Sequence, residues 1–164
     1  MTRTEKLLAE LIALPSVNPA FLPPRHPNAG EKNVADFLAS VAAKAGLEIE
    51  FQKALPQRAN FIARLLPKNQ IRQTILLAPH LDTVGADGTK FIPQRKNGKL
   101  HGRGACDTKG SVAAMMIALC ELAESKNRPR ETEIVFAGLI DEENAQAGSR
   151  ALVKGKFKTD LAIV

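Results

Sequence analysis

Ile75-Leu76-Leu77-Ala78-Pro79-His80-Leu81-Asp82-Thr83-Val84 decides how this chain reads. A near-continuous apolar run is the pattern of a strand buried on both faces. Such a strand has no structural need to finish on an imidazole and a carboxylate. At a period of two, His80 and Asp82 fall on the same side. A histidine that binds metal through one ring nitrogen commonly gives its other N–H to a carboxylate or carbonyl. His80 therefore reads as a ligand and Asp82 as the group that fixes its second nitrogen. His-x-Asp alone is a weak sign, and a lone histidine is more often a satisfied core residue. Weight comes only from other ligand-type residues converging on it.

Downstream, Gly102-Arg103-Gly104-Ala105-Cys106-Asp107-Thr108-Lys109-Gly110 holds three glycines in nine residues, the mark of unusual backbone. Ser111 to Ser125 is apolar nearly all round, as expected of a helix packed deep against a sheet. Glu131 to Ile140 is a further strand that runs straight into Asp141-Glu142-Glu143. Strand, buried helix, strand across residues 73–140 implies a right-handed crossover between parallel strands. Both strands then end at one edge of the sheet, where open α/β sheets bind ligands. His80, Asp82, Asp107, Glu142 and Glu143 meet there. Asp141 reads as a turn residue or an outer partner. Cys106 neighbours Asp107 but diverges from it, and His101 reads as a surface or hydrogen-bonding residue.

Around this centre, Thr4 to Leu14 reads as a helix with Leu7, Leu11 and Leu14 on one stripe, ended by Pro15. Ser16 to Pro27 is a Pro-rich loop. Asn28 and Glu31 resemble a capping pair for a helix carrying Val34, Phe37, Leu38, Val41 and Ala45, closed by Gly46. Leu47, Ile49 and Phe51 alternate with polar residues in a half-exposed strand. Asn60–Leu66 and Gln73–His80 follow as strands with no helix between, which predicts antiparallel neighbours. Phe91–Gln94 and Lys99–His101 form a small hairpin across Asn97-Gly98. Ala145–Val153 is a short helix, and residues 159–164 start another strand.

At 164 residues, with 45% hydrophobic and 24% charged residues, the chain is one soluble domain's worth of sequence. The net charge of +6 raises the question of nucleic acid. The basic residues are scattered, and there is no Trp or Tyr to stack on bases, so a solvated basic face is favoured. The longest apolar run, Val112 to Cys120, is far too short to span a bilayer. Cys106 and Cys120 read as free thiols and the N-terminus lacks a secretory pattern. The expectation is a cytoplasmic protein without nucleic-acid or membrane partners.

One imidazole among several carboxylates calls for a cation. His and carboxylate ligands suit Zn²⁺, with Co²⁺ or Mn²⁺ as substitutes. A carboxylate such as Asp107 can bridge two ions about 3.5–4 Å apart. The spare member of the Glu142–Glu143 pair can then move a proton.

Taken together, Pro79-His80-Leu81-Asp82-Thr83-Val84, the Gly102–Gly110 segment, Asp141-Glu142-Glu143 and Gly148-Ser149 resemble the di-zinc family of acetylornithine deacetylase, succinyl-diaminopimelate desuccinylase, aminoacylase and glutamate carboxypeptidase. The order and intervals of these motifs fit. The resemblance implies an α/β, three-layer zinc-exopeptidase-like fold with a mixed, partly parallel central sheet flanked by helices. It implies His80 as ligand of one zinc, Asp107 as bridge, Glu143 as ligand of the second zinc, Glu142 as general base and Asp82 as partner of His80. It also implies a cis peptide at Asp107–Thr108. Pro79 stands where the family commonly has Gly, and Asn144-Ala145 replaces a Gly-bearing continuation; neither removes a ligand.

The implied function is metal-dependent hydrolysis of an amide bond in an N-acyl amino acid or peptide, with two Zn²⁺ per full-length protomer and a homodimer built through a lid domain. Residues 1–164 correspond to the N-terminal portion of the catalytic domain. The remaining ligands and the lid lie outside that portion, so the expectation for this chain alone is inactivity and self-association through an exposed strand edge. The rival readings are a folded fragment without competent metal sites and a different metallohydrolase such as a phosphoesterase. The Glu-Glu pair and the single candidate histidine argue against the phosphoesterase.

Overall fold

A computed structural model describes all of residues 1–164. The elements run α1 (Arg3–Ala13), α2 (Lys32–Lys44), β1 (Glu48–Leu55), β2 (Arg58–Leu65), β3 (Gln73–Leu77), β4 (Gln94–Lys96), β5 (Lys99–His101), α3 (Lys109–Glu124), β6 (Thr132–Gly138), α4 (Ala147–Lys154) and β7 (Leu161–Ile163). Five strands form one sheet in the order β1-β2-β6-β3-β7, and β4-β5 is a separate hairpin. β1/β2 and β2/β6 are antiparallel, whereas β3/β6 and β3/β7 are parallel. The sheet is therefore mixed and partly parallel, as the resemblance implied.

The sequence-based pairing of β2 with β3 is corrected: β6 lies between them. β6 is buried almost throughout. The centre of a sheet, covered on both faces, is where so apolar a strand hides most surface. Alternation along β6 divides the core. Ile134 and Phe136 face a cluster with Leu7, Leu11, Leu38, Val112 and Met116 from α1, α2 and α3. Val135 and Ala137 face the opposite side with Leu76 and Leu152 of α4. Helices thus cover both faces. None is long and apolar enough to cross a membrane.

Local chemistry sets the helix ends. Thr2 and Glu5 form a reciprocal capping box on α1, with Thr2 Oγ1 accepting from the Glu5 N–H at 3.1 Å. The expected Asn28/Glu31 cap on α2 does not form. Glu31 is buried and turns instead to the Arg58 guanidinium, which donates to both its oxygens at 2.5 and 3.0 Å. A fork-shaped guanidinium is the stronger partner for a buried carboxylate. Gly46, at φ +75°, closes α2 as expected. The side chain of Lys109 is buried and donates to the carbonyls of Leu11 and Leu14, at 2.8 and 2.7 Å. It ties the start of α3 to the end of α1, and burial pushes its ammonium down to about 7.

The end of β6 is fixed by Asn60, which is fully buried. Its Oδ1 accepts from the Ile140 N–H at 3.1 Å, and its Nδ2 donates to the Gly148 carbonyl at 2.9 Å. A Cβ on Gly148 would stand 2.6 Å from both the N and O of Ile140. Only glycine lets α4 approach the strand this closely. Gly148→Ala is expected to lower the unfolding free energy by about 1–3 kcal/mol through overpacking, measured by urea denaturation. An unchanged midpoint would mean that the α4 contact is not tight.

Candidate metal centre

Parallel pairing of β3 with β6 continues past the named strands. Leu139 donates to the Pro79 carbonyl at 2.9 Å and Leu81 donates to the Leu139 carbonyl at 2.8 Å. This holds His80 beside Leu139 and brings both strand ends together. Asp107 arrives from the loop before α3. That loop turns at Gly104 (φ +80°), where a Cβ would meet Lys109 and Thr83 side-chain atoms at 2.9–3.1 Å. The peptide bond between Asp107 and Thr108 is cis.

His80, Asp107 and Glu143 each offer a ligand atom, and these atoms all lie within 4.8 Å of one another. His80 Nε2 is 3.0 Å from Asp107 Oδ1 and 3.8 Å from Glu142 Oε2. His80 Nδ1 is 3.1 Å from the Asp82 backbone carbonyl and 3.5 Å from its carboxylate. His80 Nδ1 thus faces both the main-chain carbonyl of Asp82, which is the nearer, and its carboxylate, at the outer limit of a hydrogen bond. The stronger bonds of that carboxylate lie elsewhere. Its Oδ1 accepts from the Glu142 N–H at 3.0 Å, and its Oδ2 accepts from the Glu143 N–H at 3.1 Å and from Asn18 Nδ2 at 2.7 Å.

The electrostatics favour a cation at this point. Burial works against a charged His80, yet its contacts with Asp82 and Asp107 and the charge of Glu142 outweigh that and raise it to about 9. Burial pushes the Glu143 carboxyl up, and the Asp107 charge adds to this. Burial also opposes ionisation of Asp82, but hydrogen bonds from His80, Asn18 and the two backbone amides bring it below the usual carboxylate range. A proton on His80 or a metal ion meets the same field. One imidazole with two carboxylates is also a donor set that zinc accepts. A cleft of about 260 Å³ opens alongside, lined by His80, Thr108, Ser111, Glu142, Gln146 and Ser149.

All five residues singled out in the sequence fall in this one place. Asp82 is buried, His80 and Glu143 are partly so, and Asp107 and Glu142 are exposed, Glu142 on the wall of the cleft. Cys106 is exposed and outside the ligand cluster, and His101 sits on the β4–β5 hairpin. The sequence patterns do not single out Asn18 or Arg58, and they assign Glu31 to a helix cap. Asn18 lay in a loop without periodicity, and Glu31 matched a capping pattern. Asn18 and Glu31 are buried and Arg58 is half-buried against Glu31, a relation that becomes visible only once the fold is known.

Residues 76–164 match Peptidase family M20/M25/M40. The chain is 32% identical over 176 residues to the succinyl-diaminopimelate desuccinylase of Verminephrobacter eiseniae, spanning 94% of this chain and 40% of that one. It is 35% identical over 137 residues to a peptidase M20 domain-containing protein of Schizosaccharomyces pombe, spanning 81% of this chain and 32% of that one. It therefore covers well under half the length of these relatives. A solved structure of an M20 family metallo-carboxypeptidase from Sulfolobus solfataricus superposes with a TM-score of 0.76 at 22% identity, covering 99% of this chain and 37% of that one, which shows a shared fold. With the family match spanning more than half of its residues, the chain belongs to peptidase family M20/M25/M40.

Proposed function

We propose that His80, Asp107 and Glu143 hold zinc in an amidohydrolase that cleaves N-acyl amino acids or peptides, in the manner of a deacetylase, desuccinylase or carboxypeptidase. The observation that carries this reading is the convergence of the three ligand atoms within 4.8 Å, with the Glu142 carboxylate 3.8 Å from His80 Nε2. Membership of the family supports it. So does the name of the Verminephrobacter relative, whose activity is on a succinyl amide. The proposal concerns the whole protein, residues 1–164 being the N-terminal portion of its catalytic domain.

Bound zinc would lower the pKa of a water and polarise the scissile carbonyl. His80, Asp107 and Glu143 would together hold the metal, a pair of Zn²⁺ ions by the family resemblance, with Co²⁺ or Mn²⁺ as substitutes. Glu142 is left free of ligand duty. It would accept a proton from the attacking water and return it to the leaving amine. Asp82 holds both parts in place, through its charge beside His80 and through the amides of Glu142 and Glu143. The cleft lined by Ser111, Gln146 and Ser149 offers hydroxyl and amide groups to a polar acyl amino acid. The further proposals of a homodimeric parent and a cytoplasmic location rest on the family resemblance alone.

Two variants test this reading. His80→Ala is expected to weaken zinc binding in calorimetry by more than the ~10–100-fold that loss of an outer partner costs; unchanged affinity would sink the metal assignment. Glu142→Gln in the whole protein is expected to retain zinc and lose about 10²–10⁴-fold in kcat on N-succinyl or N-acetyl amino acids. Full activity in that variant would remove Glu142 as the base. Turnover of phosphate esters with none of acyl amino acids would overturn the amide reading.

A further inference from the structure

Asn18 sits at the head of a short 3₁₀ turn, Pro19–Phe21, in a loop far from every candidate ligand in sequence, and it is fully buried. Its Oδ1 accepts from the Ala20 N–H at 3.0 Å. Its Nδ2 donates to two carboxylates, Asp82 Oδ2 at 2.7 Å and Asp141 Oδ1 at 3.0 Å. Its backbone N–H donates to the Thr83 carbonyl at 2.9 Å. Asp82 follows β3 and Asp141 follows β6, so one amide group joins the two chain segments that carry His80 and Glu142–Glu143. The same Asp141 oxygen accepts from Arg58 Nη1 at 3.2 Å, and the Asp141 N–H donates to Glu31 Oε1 at 3.2 Å. Asp141 is held in the left-handed region at φ 67°, immediately before the glutamate pair.

Two carboxylates this close repel unless donors stand between them. An amide supplies two N–H groups without adding charge, and its oxygen is already used by the turn. Asparagine therefore fits this position where aspartate, serine or leucine would not. We propose that Asn18 is a positioning residue for the metal centre: by donating to both Asp82 and Asp141 it holds His80 and the Glu142–Glu143 turn in the register that metal binding requires. This rests on the reading of His80, Asp107 and Glu143 as metal ligands.

The test uses Asn18→Ser, which keeps an oxygen to cap the Ala20 turn but replaces the two amide N–H donors with one shorter hydroxyl that cannot donate to both carboxylates. Zinc affinity is measured by calorimetry, the visible spectrum is recorded with Co²⁺, and thermal unfolding is followed without metal. The expected result is cooperative unfolding, zinc affinity lower by about 10–100-fold and a changed Co²⁺ spectrum. A lower Tm with unchanged affinity and spectrum would make Asn18 a packing residue only; it would overturn this inference and leave the metal assignment standing. Failure of the unsubstituted protein to bind zinc would overturn both. A measurement that needs no variant is the side-chain amide proton signals of Asn18 in the unsubstituted protein. They are expected to exchange slowly and to shift when zinc is added, and signals indifferent to zinc would overturn the inference.

Discussion

The site depends on one buried carboxylate. Asp82 is 1% exposed, and an ionised group so placed costs several kcal/mol unless donors surround it. Three donors do: Asn18 and the backbone amides of Glu142 and Glu143. Because two of these belong to the turn after β6, satisfying Asp82 also fixes that turn against the end of β3. The charge of Asp82 then lies 3.5 Å from the His80 ring. A single desolvated group thus ties together the imidazole and both glutamates. The parallel β3/β6 pairing brings the strand ends close, and Asp82 turns closeness into fixed geometry.

Beneath this lies a second layer of charge. Arg58 bridges Glu31 and Asp141, all three largely removed from water. Burial opposes ionisation of Asp141, but bonds from Asn18, Ala147 and Arg58 hold its carboxyl below the usual range. Asp tolerates the left-handed backbone better than most residues, and its pinned side chain keeps the turn from relaxing. The arrangement has two tiers. Asp82, Asn18 and Asp141 are buried and hydrogen-bonded, whereas Glu142 and Asp107 reach the surface with 47% and 76% of their side chains exposed. The buried tier is rigid and the candidate reactive carboxylates stand above it at the surface.

Much of this was legible in the residues. The Ile75–Val84 run, the glycine-rich loop and the β6 strand ending in Asp141-Glu142-Glu143 carry their periodicity and breakpoints openly. A parallel crossover then forces the chemical groups to one edge. The position of β6 between β2 and β3 was not legible. Local patterns specify strands, while the choice of neighbour depends on which strand most needs two covered faces. Glu31 was misread as a cap because its spacing from Asn28 fits a cap, and a long-range guanidinium overrode it. Asn18 was silent because a buried polar residue in a loop has no pattern of its own. The main-chain bond of His80 Nδ1 was likewise invisible, since a carboxylate two residues on is the more obvious partner.

Anomalous diffraction at the zinc absorption edge, from crystals of the zinc-loaded protein, would test the central claim most directly. The expected result is a peak among His80 Nε2, Asp107 and Glu143, with nitrogen and oxygen ligands at about 2.0–2.2 Å. A peak at Cys106 or His101 with none at His80 would contradict the account, because the convergence of the three side chains would then not be a metal centre.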